Sequence, residues 1–345
     1  MPKDNENIPF IVGPVEPTEP QRFSAEQMIR CEACLRANPP TRVSCLYCVA
    51  PLPLTEASAR LRKPVLRPPE KHQSGYNNIL LPAEQAVSES VITGAASLLK
   101  LSVENVRDVL ALREPLPVTR TASREEAELV SERLRELGLE SLFVSDDELG
   151  NVVRRVRSMT FDDDLFTIHQ AGSVEQTRVL WSEIVLIVPG RLFETKLEIK
   201  ERMTRKSENE ILDTSQFFRD EDVVDFYTAI NSSTWRVGAN GFDFSCLGRE
   251  KALVVNENMR KLRALLVEKS VNAKVDDSYA RVRNVLELAW TTQPETQSSG
   301  WRRERPGMLS VGMSTIRSNE VQFTRYSRLR YYLSKYQRAG ASPSF

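Results

Sequence analysis

Four cysteines, Cys31, Cys34, Cys45 and Cys48, stand as C-x-x-C, ten intervening residues and a second C-x-x-C. Two thiolate pairs on short turns can meet as four soft ligands around a tetrahedral ion, and Zn2+ is the usual occupant. The expected cofactor is therefore Zn2+, held by Cys31, Cys34, Cys45 and Cys48. Four sulfurs leave no coordination position for water or substrate, so such a site is structural. Two disulfides between the pairs are the alternative. The fifth cysteine, Cys246, stands alone, which suits a reducing compartment better than a disulfide framework.

No other group of residues carries a comparable chemistry. Of the two histidines, His72 lies among prolines and basic residues, and His169 alternates with Ile168 in a strand pattern and faces solvent. Asp162, Asp163 and Asp164 fall between two strand patterns, where a solvated hairpin turn competes with a cation site. Cys246 follows aromatic residues at strand spacing and reads as packing. There is no G-x-G-x-x-G, no P-loop and no G-x-S-x-G. No catalytic residue is expected, and the chain does not read as an enzyme.

The C-terminal region sets arginines among aromatic side chains, in WRRERPGM and RSNEVQFTRYSRLRYYLSKYQR. Arg302, Arg303, Arg305, Arg325, Arg328 and Arg330 with Tyr326 could hold phosphates and stack on bases, so nucleic-acid or partner binding is one expectation. The competing one is a helix docked on the preceding domain, because Phe323, Tyr326, Leu329 and Leu333 approximate one helical face. Attachment to an anionic membrane surface is a third.

These residues must be positioned by more than one compact unit, since 345 residues exceed what a single core usually serves. Forty-seven basic residues balance forty-seven acidic ones, so no overall field draws the chain to nucleic acid or membrane. No apolar run approaches the roughly 20 residues that span a bilayer, and the proline-rich start has no hydrophobic leader. The expected location is cytoplasmic. Residues 1–28 read as a disordered lead-in, 29–52 as the metal module and 53–76 as an extended, proline-bearing linker.

From residue 77 to 147 the pattern is α/β. A short strand at Ile79–Leu81 precedes a helix from Pro82 to Leu99 and a second helix capped by Ser102, with Val103, Val106, Val109 and Leu110 on one face. A strand at Val118–Arg120 follows. Ser123 and Glu126 form a capping box for a third helix, whose apolar face is Ala127, Val130, Leu134 and Leu137, ended by Gly138. From 150 to 290 the period becomes two, giving six or seven antiparallel strands and then helices, one with Val255, Met259, Leu262 and Leu266 on a face and one with Tyr279, Val282, Leu286 and Ala289. Residues 291–345 form the basic aromatic tail. The fold class is α+β and multi-domain: a zinc ribbon, a small α/β domain, and an antiparallel β-rich domain with C-terminal helices.

Three segments resemble known families. CEACLRANPPTRVSCLYCVAPLPL is similar to the short bacterial zinc ribbon, sharing Cys31, Cys34, Asn38, Pro39, Pro40, Cys45, Cys48, Pro51 and Leu52. The glycine that usually follows each pair is replaced here by Leu35 and Val49, which puts the knuckles under strain. Iron held as in rubredoxin is the other four-sulfur use, although that family separates its pairs much further. LLKLSVENVRDVLALREPLPVTRTASREEAELVSERLRELGLESLFV, within residues 79–145, resembles the C-terminal domain of the bacterial ribosomal stalk protein, which implies its fold. The family's lysine- and glycine-rich factor-binding helix is not reproduced, since Glu104, Asn105 and Asp108 stand there. Residues 152–268 resemble a pleckstrin-homology-like domain in architecture, with LWSEIVLIV similar to a tryptophan-bearing strand. Together these predict a non-enzymatic scaffold that docks protein partners within an assembly, with a nucleic-acid-binding or ribosome-associated factor as the alternative.

Overall fold

A computed structural model describes residues 23–53, 55, 64–70, 73–150, 152–170, 172, 175–203, 209–230, 233–305 and 308–338, with backbone alone at 202–203, 209–212, 299, 301–305, 308–310 and 336–338. The chain is mixed α+β and divides into two compact units, Met1–Lys63 and Pro64–Phe345. His72 and the first 22 residues of the expected lead-in lie outside the described residues.

In the first unit, β1 (Ile29–Arg30) pairs antiparallel with β2 (Ala37–Asn38), setting Ile29 opposite Asn38. Its core holds Ile29, Cys31, Cys45 and Leu52. So few apolar side chains offset little of the ordering entropy of the backbone, a difference that an ion held by the four cysteines could supply.

The second unit begins with residues 64–70, expected as linker. They are held instead against the following helices: the Ala122 amide donates to Arg67 O at 3.0 Å, and Lys100 Nζ donates to Val65 O at 2.7 Å. Strand β3 (Tyr76–Leu80), helices α1 (Glu89–Leu99) and α2 (Val103–Ala111), β4 (Leu116–Thr121), α3 (Arg124–Glu136) and β5 (Ser141–Ser145) then form a three-stranded antiparallel sheet, ordered β4-β3-β5, with its helices. Ser102 caps α2 and Ser123 caps α3, each accepting the amide three residues on. Only half of the expected capping box forms, because the Glu126 carboxylate accepts the Leu66 amide and not that of Ser123. Gly138, at φ +81, ends α3 as expected.

β3 starts earlier than its apolar residues suggest, since Asn77 and Asn78 are both buried within it. Asn78 Nδ2 donates to Ala127 O at 2.8 Å and Ser131 Oγ at 2.9 Å, which ties the sheet to α3. β4 admits Pro117, and the register shifts beside it between Asn78 and Ile79. Proline cannot donate to a ladder and is tolerated at such a bulge.

After the short helix α4 (Asp146–Leu149) come β6 (Val153–Phe161), β7 (Leu165–Gln170), β8 (Gln176–Leu180), β9 (Ile184–Met203), β10 (Asn209–Thr228) and β11 (Thr234–Gly238). Helix α5 (Val255–Lys269), β12 (Lys274–Val275), α6 (Tyr279–Leu286), β13 (Glu295–Arg305), β14 (Met308–Ser318) and α7 (Glu320–Arg338) complete the unit. The main path of the large sheet runs β13-β14-β9-β10-β11-β6-β7-β8.

Four features differ from the expected antiparallel strands, closing helices and tail. β11 joins β6 in parallel, as β12 joins β9. β9 continues through Pro189 and Gly190, where a turn between two strands is the natural reading. Glycine is needed there because a Cβ would overlap the Phe323 ring of α7. The expected tail is the β13–β14 hairpin, laid along the outer half of β9, followed by α7. The strand pattern at 234–248 is strand only as far as Gly238, because Phe244–Glu250, with Cys246, is a 3-10 segment.

Two apolar clusters hold this unit. One lies between the strands of β6–β11 and α5, around Phe166, Ile187, Phe226, Trp235, Leu262 and Leu266. The other is continuous from the three-stranded sheet through Leu186 and Tyr227 to Val282, Leu286, Phe323, Tyr326 and Leu329.

Candidate metal centre

The backbone at each cysteine pair turns in the same way. The Leu35 amide donates to Cys31 O at 2.8 Å and the Val49 amide to Cys45 O at 3.1 Å, each closing a loop around its C-x-x-C. The chain then folds back, with the Cys31 amide donating to Arg36 O at 3.0 Å and the Cys45 amide to Ala50 O at 2.8 Å. This reversal requires positive φ after each pair, and Leu35 (φ 59) and Val49 (φ 62) adopt it despite their Cβ atoms.

The two loops bring all four sulfurs within 4.8 Å of one another. Cys31 Sγ lies 3.5 Å from Cys48 Sγ, and Cys34 Sγ lies 3.5 Å from Cys45 Sγ. A tetrahedron of thiolates around zinc, at ~2.3 Å per bond, has edges of about 3.8 Å. The observed separations bracket that value, so the residues fit a four-sulfur metal site. The ligand set is closed and has no water position.

Amide donors prepare the sulfurs. Tyr47 N and Asn38 Nδ2 each lie 3.4 Å from Cys45 Sγ. Burial alone would raise the Cys45 thiol, but the Tyr47 and Cys48 amides, the Asn38 side chain and Cys34 bring it down to about 6. At Cys48 the Ala50 amide acts in the same direction, yet the other three sulfurs and burial push the thiol up to about 12. Metal-free sulfurs this close compete for protons, and a divalent cation relieves that by holding all four as thiolates.

Asn38 is the working residue that spacing did not reveal as such. Its Oδ1 accepts the Leu46 amide at 2.8 Å and its Nδ2 donates to Arg36 O at 2.9 Å, so one buried amide braces both loops. The Asn-Pro-Pro turn marks its position in the sequence. Around the centre, Leu35, Leu46, Tyr47 and Val49 are exposed by 72%, 51%, 56% and 76%. Arg36 stacks over the Tyr47 ring at 4.6 Å, which sets the two loops side by side.

The other expected site residues lie in the second unit. Tyr326 is fully buried, and its hydroxyl donates to Asp276 Oδ1 at 2.8 Å, so it cannot stack on a base. Arg330 pairs with Asp276 and, at 3.0 Å, with Glu114. Arg325 lies 3.8 Å from Asp146, and Arg328 sits over the rings of Tyr227 and Tyr331. These groups join α7 to the rest of the unit and do not form one basic face. The side chains of Arg302, Arg303 and Arg305 lie outside the described residues. His169 is half-buried, with Nε2 3.3 Å from Thr160 Oγ1. Asp162–Asp164 form the exposed β6–β7 turn, closed by the Asp162 amide on Leu165 O at 2.9 Å. Cys246 packs beside the β-sheet core, and burial pushes its thiol up to about 11.

Comparison with models of known protein families, with characterised proteins and with solved structures gives no match. Among the described residues no helix is long and apolar enough to cross a membrane.

Proposed function

We propose that the first unit is a zinc ribbon and that it docks a protein partner, making this chain a non-enzymatic scaffold subunit of a cytoplasmic assembly. The observation that carries this reading is the exposure of Leu46 and Tyr47 on the loop between two metal ligands. A ribbon this small has no surplus apolar residues, and those it has are needed inside. Large apolar side chains at the loop tips are groups that a partner would bury. The ion supplies folding free energy and no reaction, since a four-thiolate shell is closed.

A pull-down from gentle lysis, read with metal content, tests the reading. The wild-type chain retains one zinc and a stoichiometric protein partner, and nuclease treatment changes neither. Leu46→Ser/Tyr47→Ser keeps the zinc and loses the partner, whereas Cys31→Ser/Cys34→Ser loses both. Retention of the partner by both variants would rule out docking through the ribbon.

A further inference from the structure

Among the described residues, the outer half of β10 is paired along one edge and open along the other. Its backbone from Ile211 to Asp220 pairs, among those residues, only with β9, because β11 joins it from Val223 onward. An unpaired edge is a template for another strand, and proteins usually blunt it with proline, lysine or a bulge placed for that purpose. The segment ILDTSQFFRD has no proline and no lysine, and its one bulge lies at its start, between Ile211 and Asp213, which leaves Asp213 to Asp220 in regular register. It carries Phe217 and Phe218, exposed by 52% and 75% on opposite faces of the ribbon.

We propose that this edge pairs with the same edge of a second copy, antiparallel about a two-fold axis at Gln216. The charges select that register. With Gln216 opposite its own copy, Asp213 faces Arg219 on both sides of the axis, Thr214 faces Phe218 and Ser215 faces Phe217. A slip that sets Gln216 opposite Phe217 places Asp213 against Asp220, and like charges directly opposite are unfavourable. The reverse slip sets Asp213 opposite Phe218 and loses both ion pairs.

The apolar residues agree with the charges. The β9–β10 and β9–β14 registers place Thr214, Ile199 and Met313 in one row across the sheet, with Leu197 on the same face. In the proposed pairing the partner's phenylalanine at position 218 extends that row beyond Thr214. Threonine is small enough for the ring to lean over it toward Ile199. The contact is isologous and closes as a dimer, with one sheet running β13-β14-β9-β10 through both copies. It does not depend on the ribbon or on its ion.

Sedimentation of the full chain over a concentration series tests this. The wild type forms dimers that dissociate on dilution. Asp213→Arg alone, or Arg219→Asp alone, sets two like-charged pairs across the axis and weakens dimerisation about tenfold. Asp213→Arg/Arg219→Asp restores it, which a folding defect would not do. A chain that is monomeric at every concentration, species larger than dimers, or single variants as tight as wild type would overturn the proposal, as would a double variant no tighter than the singles.

Discussion

Replacing Val49 by glycine should strengthen metal binding, although it removes a large apolar side chain. Val49 and Leu35 hold φ values of 62 and 59. For an L-residue this conformation costs roughly 1–2 kcal/mol, with a β-branched side chain at the upper end. Both side chains are mostly exposed, so deleting them forfeits little burial. Glycine gives back about 0.5–1 kcal/mol through the greater freedom of the unfolded chain. The net gain is about 0.5–1 kcal/mol at each position. Folding of such a module is coupled to its ion, so the gain appears in the zinc dissociation constant, at about two- to fivefold per site. Competition against a chromophoric chelator at fixed pH measures it, with Val49→Ala as the control that removes the branch but keeps the Cβ. Val49→Gly should bind tighter than Val49→Ala, and Leu35→Gly/Val49→Gly tighter than either. A Val49→Gly chain that binds zinc no better than wild type would refute the strain account.

Chelation should unfold residues 29–52, read by hydrogen exchange with and without zinc, and leave the thermal transition of residues 64–345 in place, read by calorimetry. Asn38→Ala should weaken zinc binding by about 1–3 kcal/mol, because it leaves the Leu46 amide without its acceptor and Cys45 Sγ without the Nδ2 donor; a chelator competition comparable to wild type would argue against the brace. Arg236→Met should destabilise the second unit by about 3–5 kcal/mol in urea, since Asp225 is fully buried and receives both Nε and Nη2 of Arg236, at 2.7 and 2.8 Å. The same unit should lose stability in acid. Burial would raise Asp146 and Asp276, but Arg120 with Asn77, and Arg330 with Ser278 and Tyr326, hold the carboxyls below the usual range. Groups with depressed values contribute stability above the unfolded value near about 3.9, and lose it as pH falls through the folded value. Asp146→Asn should flatten the fall in melting temperature below about pH 4.

The legible parts of the chain are those in which one local pattern has one outcome. Cys31, Cys34, Cys45 and Cys48 could meet only through two knuckles, and they do. Helix α3 follows from Ser123, the spacing of Ala127, Val130 and Leu134, and Gly138, because each signal acts within a few residues. What the pattern missed depends on partners far along the chain. Asn77 and Asn78 fall outside the strand expected at Ile79–Leu81, and belong to it because Val144, Ala127, Ser131 and Trp290 supply their hydrogen bonds. Pro189-Gly190 reads as a turn until the Phe323 ring, on α7, occupies the place of a side chain.

The C-terminal arginines show the same dependence in its strongest form. Basic and aromatic residues interleaved at helical spacing describe a phosphate-binding face and a docked helix equally well, since composition records only that the groups are present. The carboxylates opposite them separate the two. Asp276 and Glu114 meet Arg330 and Asp146 meets Arg325, all from outside the C-terminal segment, while Glu320 of α7 reaches back to Arg236, which also holds Asp225. Burying so many charges is tolerable only because each has its counterion fixed in place. The balance of forty-seven basic and forty-seven acidic residues is therefore partly internal. That internal share joins α7 to the strands and to the α/β element.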